Sequence, residues 1–151
     1  MLANRSMPQC TVIPELAYPD VEEAIKWLCD AFGFTLRIGI GDHRAQLNVG
    51  DGAVVLTERR RGEGDDSAGA VGSRAPYQEE LAHSVMVRVD DIDRHYERAR
   101  QCGARITRPL ADYPYGERQY TAEDLVGRRW TFSQSIADVA PEEWGGMSGG
   151  I

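Results

Sequence analysis

The chain has 151 residues, 42% of them hydrophobic and 27% charged, with a formal net charge of −7 and a pI near 4.9. Such a length carries one domain with a real core, or two half-size units sharing one, and the composition is that of a soluble globular protein. The acidity disfavours nucleic acid and anionic lipid as partners, and no run approaches the roughly 18 apolar residues that a membrane-spanning helix needs.

The amino terminus, MLANRSMPQC, lacks the apolar core of a secretory signal, so a cytoplasmic location is expected. Cys10, Cys29 and Cys102 form no CxxC pair and no even set, which argues against a disulfide framework or a zinc knuckle. Cys29 and Cys102 fall on predicted helix faces and are read as core residues.

Residues 11–18, TVIPELAY, predict an extended segment in which Pro14 confines the strand to an edge or a bulge. PDVEEAIKWLCDAFGF follows, with Asp20 as N-cap, Glu22 and Glu23 in the first turn, and Val21, Ala24, Ile25, Leu28 and Phe32 at helical spacing. Gly33 supplies the stop. FTLRIGI, RAQLNV and AVVLTE then read as three strands, with GDG at 50–52 as the last hairpin turn.

Residues 59–80 are rich in Gly, Ser and mixed charge and predict a flexible connector. Beyond it the order recurs. HSVMVRVD is a strand with Val85, Val87 and Val89 on one face, and DIDRHYERARQCGARI is a helix that starts after Asp91 and stops at Gly103. ARITRP, ERQYTAE and RWTFSQS complete the second set, with EDLVG at 123–127 as its last turn, while LADYPYGER at 110–118 predicts a Pro-containing loop carrying Tyr113 and Tyr115. Superposing Asp20 on Asp91 gives a repeat of 71 residues, the mark of a duplication of β-α-β-β-β. A four-stranded sheet covered by one helix cannot close a core alone, so the units at 11–58 and 82–136 should pack together. Residues 138–151 are Gly-rich and expected to fray, with Trp144 as a candidate anchor.

Paired units carrying YPDVEEAIKWLCDAFGF in the first half, and VRVDDIDRHYERARQCGARI with YGERQYTAEDLVGRRWTFSQ in the second, resemble the vicinal oxygen chelate superfamily. That superfamily contains the glyoxalase, bleomycin-resistance and ring-cleaving dioxygenase proteins, and the likeness spans 11–137. It implies an α+β fold in which two βαβββ units form a curved, U-shaped mixed sheet around a cleft, commonly in a homodimer. Metal-using members take His, Glu or Gln from four inward positions, which the resemblance places at Ile13, Leu56, Ser84 and Thr131. These four cannot hold a divalent ion.

A slip of one residue would bring in His83 and Glu58, two ligands where a catalytic site uses three. His83 is read as facing the helix side, His95 as solvated, and His43 as a turn residue without a partner nearby in sequence. The last turn reads Asp124-Leu125-Val126-Gly127-Arg128, where many relatives carry Pro after the Asp and His or Asn after the Gly.

Strand alternation turns Glu15, Ser84, Met86 and Arg88 into the cleft, with Gln46 on a second alternating set and Arg118, Tyr120 and Trp130 on or beside the second sheet. Tyr113 and Tyr115 offer rigid aromatic surface. Trp130 is equally a core residue, and Glu15 with Arg88 equally a structural ion pair. Two functions follow as expectations. The first is a metal-free, cofactor-free protein that binds a small aromatic or cationic molecule. The alternative is a divergent lyase, isomerase or dioxygenase of the same superfamily, metal-dependent or using Glu15 as base with Arg88 stabilising an enolate-like charge.

Overall fold

A computed structural model describes residues 2–59 and 82–149, so the predicted connector lies, except for its first residue, outside the described residues. The first unit runs β1 (Glu15–Tyr18), α1 (Val21–Phe32), β2 (Thr35–Ile40), β3 (Arg44–Val49) and β4 (Gly52–Glu58). The second runs β5 (Ser84–Arg88), α2 (Ile92–Gln101), β6 (Arg105–Tyr113), β7 (Glu117–Glu123) and β8 (Arg129–Ser135), followed by a 3-10 turn at Pro141–Trp144. The sheet orders, β1-β4-β3-β2 and β5-β8-β7-β6, repeat one topology, with the first strand of each unit parallel to its last. The duplication is thus present in hydrogen bonding as well as in sequence.

Each helix starts as its sequence dictates. Asp20 accepts from the Glu23 amide at 3.0 Å, and Asp91 accepts from the Arg94 amide at 3.2 Å. Gly33 ends α1 at φ 77°, in the left-handed region, and donates its amide to the Cys29 carbonyl. β1 begins one residue after Pro14, which has no amide to give; its carbonyl still accepts from Val55. β6 is longer than expected and absorbs residues 110–113 of the predicted loop. Its register breaks on both sides of Arg108, next to Pro109, and an edge strand tolerates this because no strand needs the missing donor.

One core joins the two halves. Leu16, Tyr18, Leu28, Leu47, Leu56, Tyr120, Trp130 and Phe132 are buried on the helix-facing sides of their sheets or helices. Phe32, from the last turn of α1, reaches Phe132 at 4.8 Å and Trp130 at 5.8 Å between ring centroids. Burying such a ring is worth about 1.5–3 kcal/mol.

Polar ties between the units run largely from side chains of the second to backbone of the first. Arg98 donates to the carbonyls of Asp30 (2.7 Å) and Cys29 (3.2 Å), capping the C-terminal end of α1 where a cation is favoured. Arg128 donates to the Ala17 carbonyl at 2.9 Å and lies over the Tyr18 ring, 5.2 Å from its centroid. Asp124 accepts from the Tyr18 hydroxyl (2.6 Å), the Trp130 indole (3.0 Å) and the backbone amides of Val126 and Arg128. Burial, with the Asp124 carboxylate beside it, pushes the Tyr18 phenol far above its ordinary range, so it remains a donor. The turn that departs from its relatives therefore clamps the second unit onto β1.

His95 is not solvated. Its ring lies 4.2 Å from Phe132, with Nε2 2.9 Å from the Phe32 carbonyl and Nδ1 2.6 Å from the Tyr120 hydroxyl. A carbonyl can only accept, so Nε2 carries the hydrogen and Nδ1 accepts from Tyr120. Ile92 and Ala99, three before and four after it, are the buried residues of α2, so His95 shares the face that packs on β7, β8 and the end of α1. Cys102 also departs from expectation: it is exposed at the end of α2, with Sγ 3.4 Å from the Asp30 carbonyl.

Two outcomes follow. Asp124→Ala strands the Tyr18 hydroxyl and the Trp130 indole and should cost roughly 3–5 kcal/mol, a fall in Tm on the order of 10 °C by thermal denaturation. Burial holds the His95 pKa below 6.5, against a smaller upward pull from the Phe32 carbonyl, and nearby Arg98 adds to the lowering. The unfolded chain then binds the proton first, so stability falls as pH drops from about 7 through the depressed folded value. Denaturant titrations at pH 7 and pH 5.5 should show that loss, and His95→Gln should flatten it.

Candidate functional site

The two faces of each sheet are chemically distinct. In the second unit Val85, Val87, Trp130, Phe132, Tyr120 and Ala122 face the helices, so their strand neighbours face the open, concave side. Ser84, Met86 and Arg88 are there as expected, all exposed, with Met86 at 65%. Trp130 is not: it pairs with Val85, is 0% exposed and belongs to the core. Thr131 pairs with Met86 and does face the cleft, which fixes Trp130 on the opposite face by parity. Tyr120 and Arg118 share that opposite face, Arg118 bonding to Asp112 (2.6 Å) and Asp93 (3.3 Å).

The concave face of the second sheet carries a connected polar network. Gln119 donates to Ser133 Oγ at 3.0 Å, Ser133 donates to Glu117 Oε1 at 2.6 Å, and Ser135 donates to Glu117 Oε2. Arg88 reaches Ser135 Oγ at 2.6 Å and Glu117 at 3.9 Å. Partial burial pulls the Glu117 carboxyl up, but the Ser133 and Ser135 hydroxyls and the Arg88 guanidinium more than offset it, and the group stays below the usual carboxylate range. Thr121 and Thr131 share a bond of 2.8 Å farther along the same face.

Aromatic rings border this network. Tyr113 and Tyr115 stack with centroids 5.5 Å apart and planes 16° from parallel, and Tyr115 donates to Gln119 Oε1 at 3.1 Å. The C-terminal 3-10 turn lays Trp144 against Tyr115 at 5.2 Å and leaves it 46% exposed. The segment expected to fray thus supplies a third ring. Gly116 makes this possible: at φ 83°, a Cβ there would stand 2.4 Å from the Ala137 carbonyl oxygen, so a side chain would push the C-terminal segment away.

Glu15 lies on the concave face of the first sheet, where it pairs with Arg44 at 3.3 Å rather than with Arg88, whose partners are Ser135 and Glu117. β1 and β5 are edge strands whose concave faces border one groove of about 690 Å³, lined by Glu15, Ala17, Thr57, Ser84 and Met86 among others. His83 is exposed and lines this groove instead of facing the helices. Leu56 pairs with Leu16 on the core side, so the inward residues of β4 are Val55 and Thr57. The predicted ligand position there was one residue out, because the first unit's turn differs in length from the second's.

With that correction, the residues at the cleft positions are Glu15, Val55, Thr57, Ser84, Met86 and Thr131, and they do not fit a divalent ion. Among the described residues no three of His, Cys, Asp and Glu are grouped as a metal set. Gln46 is 4% exposed, although it faces the concave side, because the N-terminal segment lies over it: its Nε2 donates to the Ser6 carbonyl at 2.9 Å. No helix among the described residues is long and apolar enough to cross a membrane.

Glu117 and Gln119 are not among the residues the sequence singles out, and Trp144 is singled out there only as an anchor of the C-terminal segment. Glu117 and Gln119 were findable, since they alternate with Arg118 and Tyr120 on a strand whose bounds the sequence gives correctly. The seating of Trp144 on Tyr115 depends on the path of the chain after β8 and left no periodic signal.

Comparison with known proteins agrees with this architecture. Among solved structures, TioX from Micromonospora sp. ML1 is 33% identical, with a TM-score of 0.64 over 87% of this chain and 100% of that one. A glyoxalase/bleomycin resistance protein/dioxygenase from Nocardioides is 21% identical (TM-score 0.59, 99% and 93% covered), and one from Alicyclobacillus acidocaldarius 15% identical (TM-score 0.60, 87% and 95% covered). No curated protein matches the sequence. The family model described as Glyoxalase/Bleomycin resistance protein/Dioxygenase superfamily matches residues 8–132, and the chain belongs to that superfamily.

Proposed function

We propose that the protein binds a small aromatic or cationic molecule on the concave face of its second sheet, without a metal ion or other cofactor. The reading rests on the row of Tyr113, Tyr115 and Trp144 beside the Glu117 network. Stacked rings give flat apolar area at low entropic cost, and an ionised carboxylate among them favours a cation. Glu15 pairs with Arg44 and Arg88 with Glu117, so the two do not form the structural ion pair that the sequence also allowed.

A homodimer and a cytoplasmic location belong to the same proposal. The edge strands β1 and β5, with Met86 exposed between them and the open face, leave room for a second copy to complete the cleft. The free cysteines among the described residues fit a reducing compartment. Sedimentation of the purified chain at micromolar concentration should give twice the monomer mass.

Titration with a planar aromatic cation such as an acridinium, followed by tryptophan fluorescence, tests the binding reading. Saturable quenching is expected, lost in Trp144→Phe because Trp130 is in the core and Trp27 sits on α1. Tyr115→Ala should weaken binding three- to tenfold, the equivalent of about 0.5–1.5 kcal/mol for an aromatic contact. Glu117→Gln should weaken the cation but not a neutral ring system of the same size. Affinities that none of these substitutions alters would overturn the placement of the site.

A further inference from the structure

The concave faces of the two sheets are built from the same repeat but meet different segments of the chain. On the second sheet Ser84, Met86 and Arg88 of the edge strand stand open, while Gln119, Thr121 and Ser133 on the inner strands are buried. On the first, Glu15 at the edge is likewise exposed, and Gln46, Ala53 and Val55 on the inner strands are buried. The N-terminal segment lies on this face. Arg37 donates to the Arg5 carbonyl at 2.9 Å and the Met7 carbonyl at 3.1 Å, Gln46 donates to the Ser6 carbonyl between them, and Pro8 is buried. The segment adds no strand to the sheet, and Asn4, Arg5, Ser6 and Met7 remain exposed.

Arg37 is the extra residue of a bulge between the Leu36 and Ile38 pairings of β2. Bulges re-aim side chains, and this one puts the guanidinium on the same face as Gln46, with which it bonds through Gln46 Oε1. That bond orients the amide so that Nε2 points outward. Guanidinium and amide together then present donors alone, and three successive peptide carbonyls satisfy them. Among the described residues, every oxygen that Arg37 meets belongs to a neutral group. A carboxylate in place of the segment would make the same bonds and compensate the charge as well.

We propose that Arg37 and Gln46 form a second binding subsite, selective for carboxylate-bearing small molecules, which residues 4–8 of the same chain hold closed. The segment is a competitive strap: its carbonyls occupy the donors that a carboxylate would take. Apparent affinity for the ligand is set by how often the strap is off. The subsite is independent of the aromatic row on the second sheet.

The test uses the full chain and sodium benzoate, followed by calorimetry or NMR at constant ionic strength against sodium chloride. Asn4→Ala with Pro8→Gly removes the turn bond to the Ser6 amide and the buried ring, and should tighten benzoate binding at least tenfold over the unaltered chain. Arg37→Met added to that pair should abolish the gain. In the otherwise unaltered chain, Arg37→Met should speed amide exchange over residues 5–7, a measurement that does not depend on the loosened variant folding well. Equal benzoate binding with the strap loosened or intact, binding retained without Arg37, or unchanged exchange at 5–7 would each overturn the proposal. A failure here leaves acridinium quenching of Trp144 untouched, so the two sites are judged separately.

Discussion

The Asp124 carboxylate, buried between the two halves, is the interaction on which the rest of the molecule depends. Each βαβββ unit leaves a helix-covered sheet that cannot enclose a core alone, and Phe32 closes the gap with apolar contact. Apolar contact is permissive about angle. The polar ties are not: Asp124 must meet a phenol and an indole from opposite units, while Arg128, Arg98 and His95 must each find a carbonyl of the first unit. These bonds set how the first sheet sits against the second, and therefore how β1 and β5 border their common groove.

The chemistry of the cleft follows from that docking and from strand parity. Every residue that turns outward from the shared core is committed to the concave face, so the same alternation that buries Trp130 presents Thr131. On the first sheet the N-terminal segment lies over Arg37 and Gln46, while Glu15 at the edge stays exposed. The second carries a hydrogen-bonded carboxylate with a row of rings along one end, and is open at Ser84, Met86 and Arg88. Two halves of one duplication have thus diverged in what covers them rather than in how they fold.

Much of this was legible in the chain. The 71-residue repeat, the capping aspartates, and the bounds of β3, β7 and β8 follow from local rules that tertiary structure did not override. Ser84, Met86 and Arg88 were placed on the correct face by alternation alone. Residue type left Trp130 equally suited to cleft and core, and strand parity, which turns Thr131 inward, decides for the core. His95 stands beside the charged Arg94 in sequence, but Ile92 and Ala99, three before and four after it, are the buried residues of α2, so helical spacing already turned it toward Phe132, Tyr120 and Phe32. Arg37 could not be found, since a bulge has no sequence period and its partners are backbone oxygens some thirty residues away.

The central functional claim is that this cleft recognises its ligand through aromatic and hydrogen-bonding side chains and without a bound ion. Metal analysis of the purified protein, together with thermal shifts on adding nickel, zinc, manganese or iron(II), tests it most directly. Residues such as Val55, Ser84, Met86 and Thr131 at the inward positions predict no stoichiometric metal and no change in Tm. A stoichiometric ion, or a rise of several degrees with one of the four, would contradict it and restore a metal-dependent reaction as the reading of the cleft.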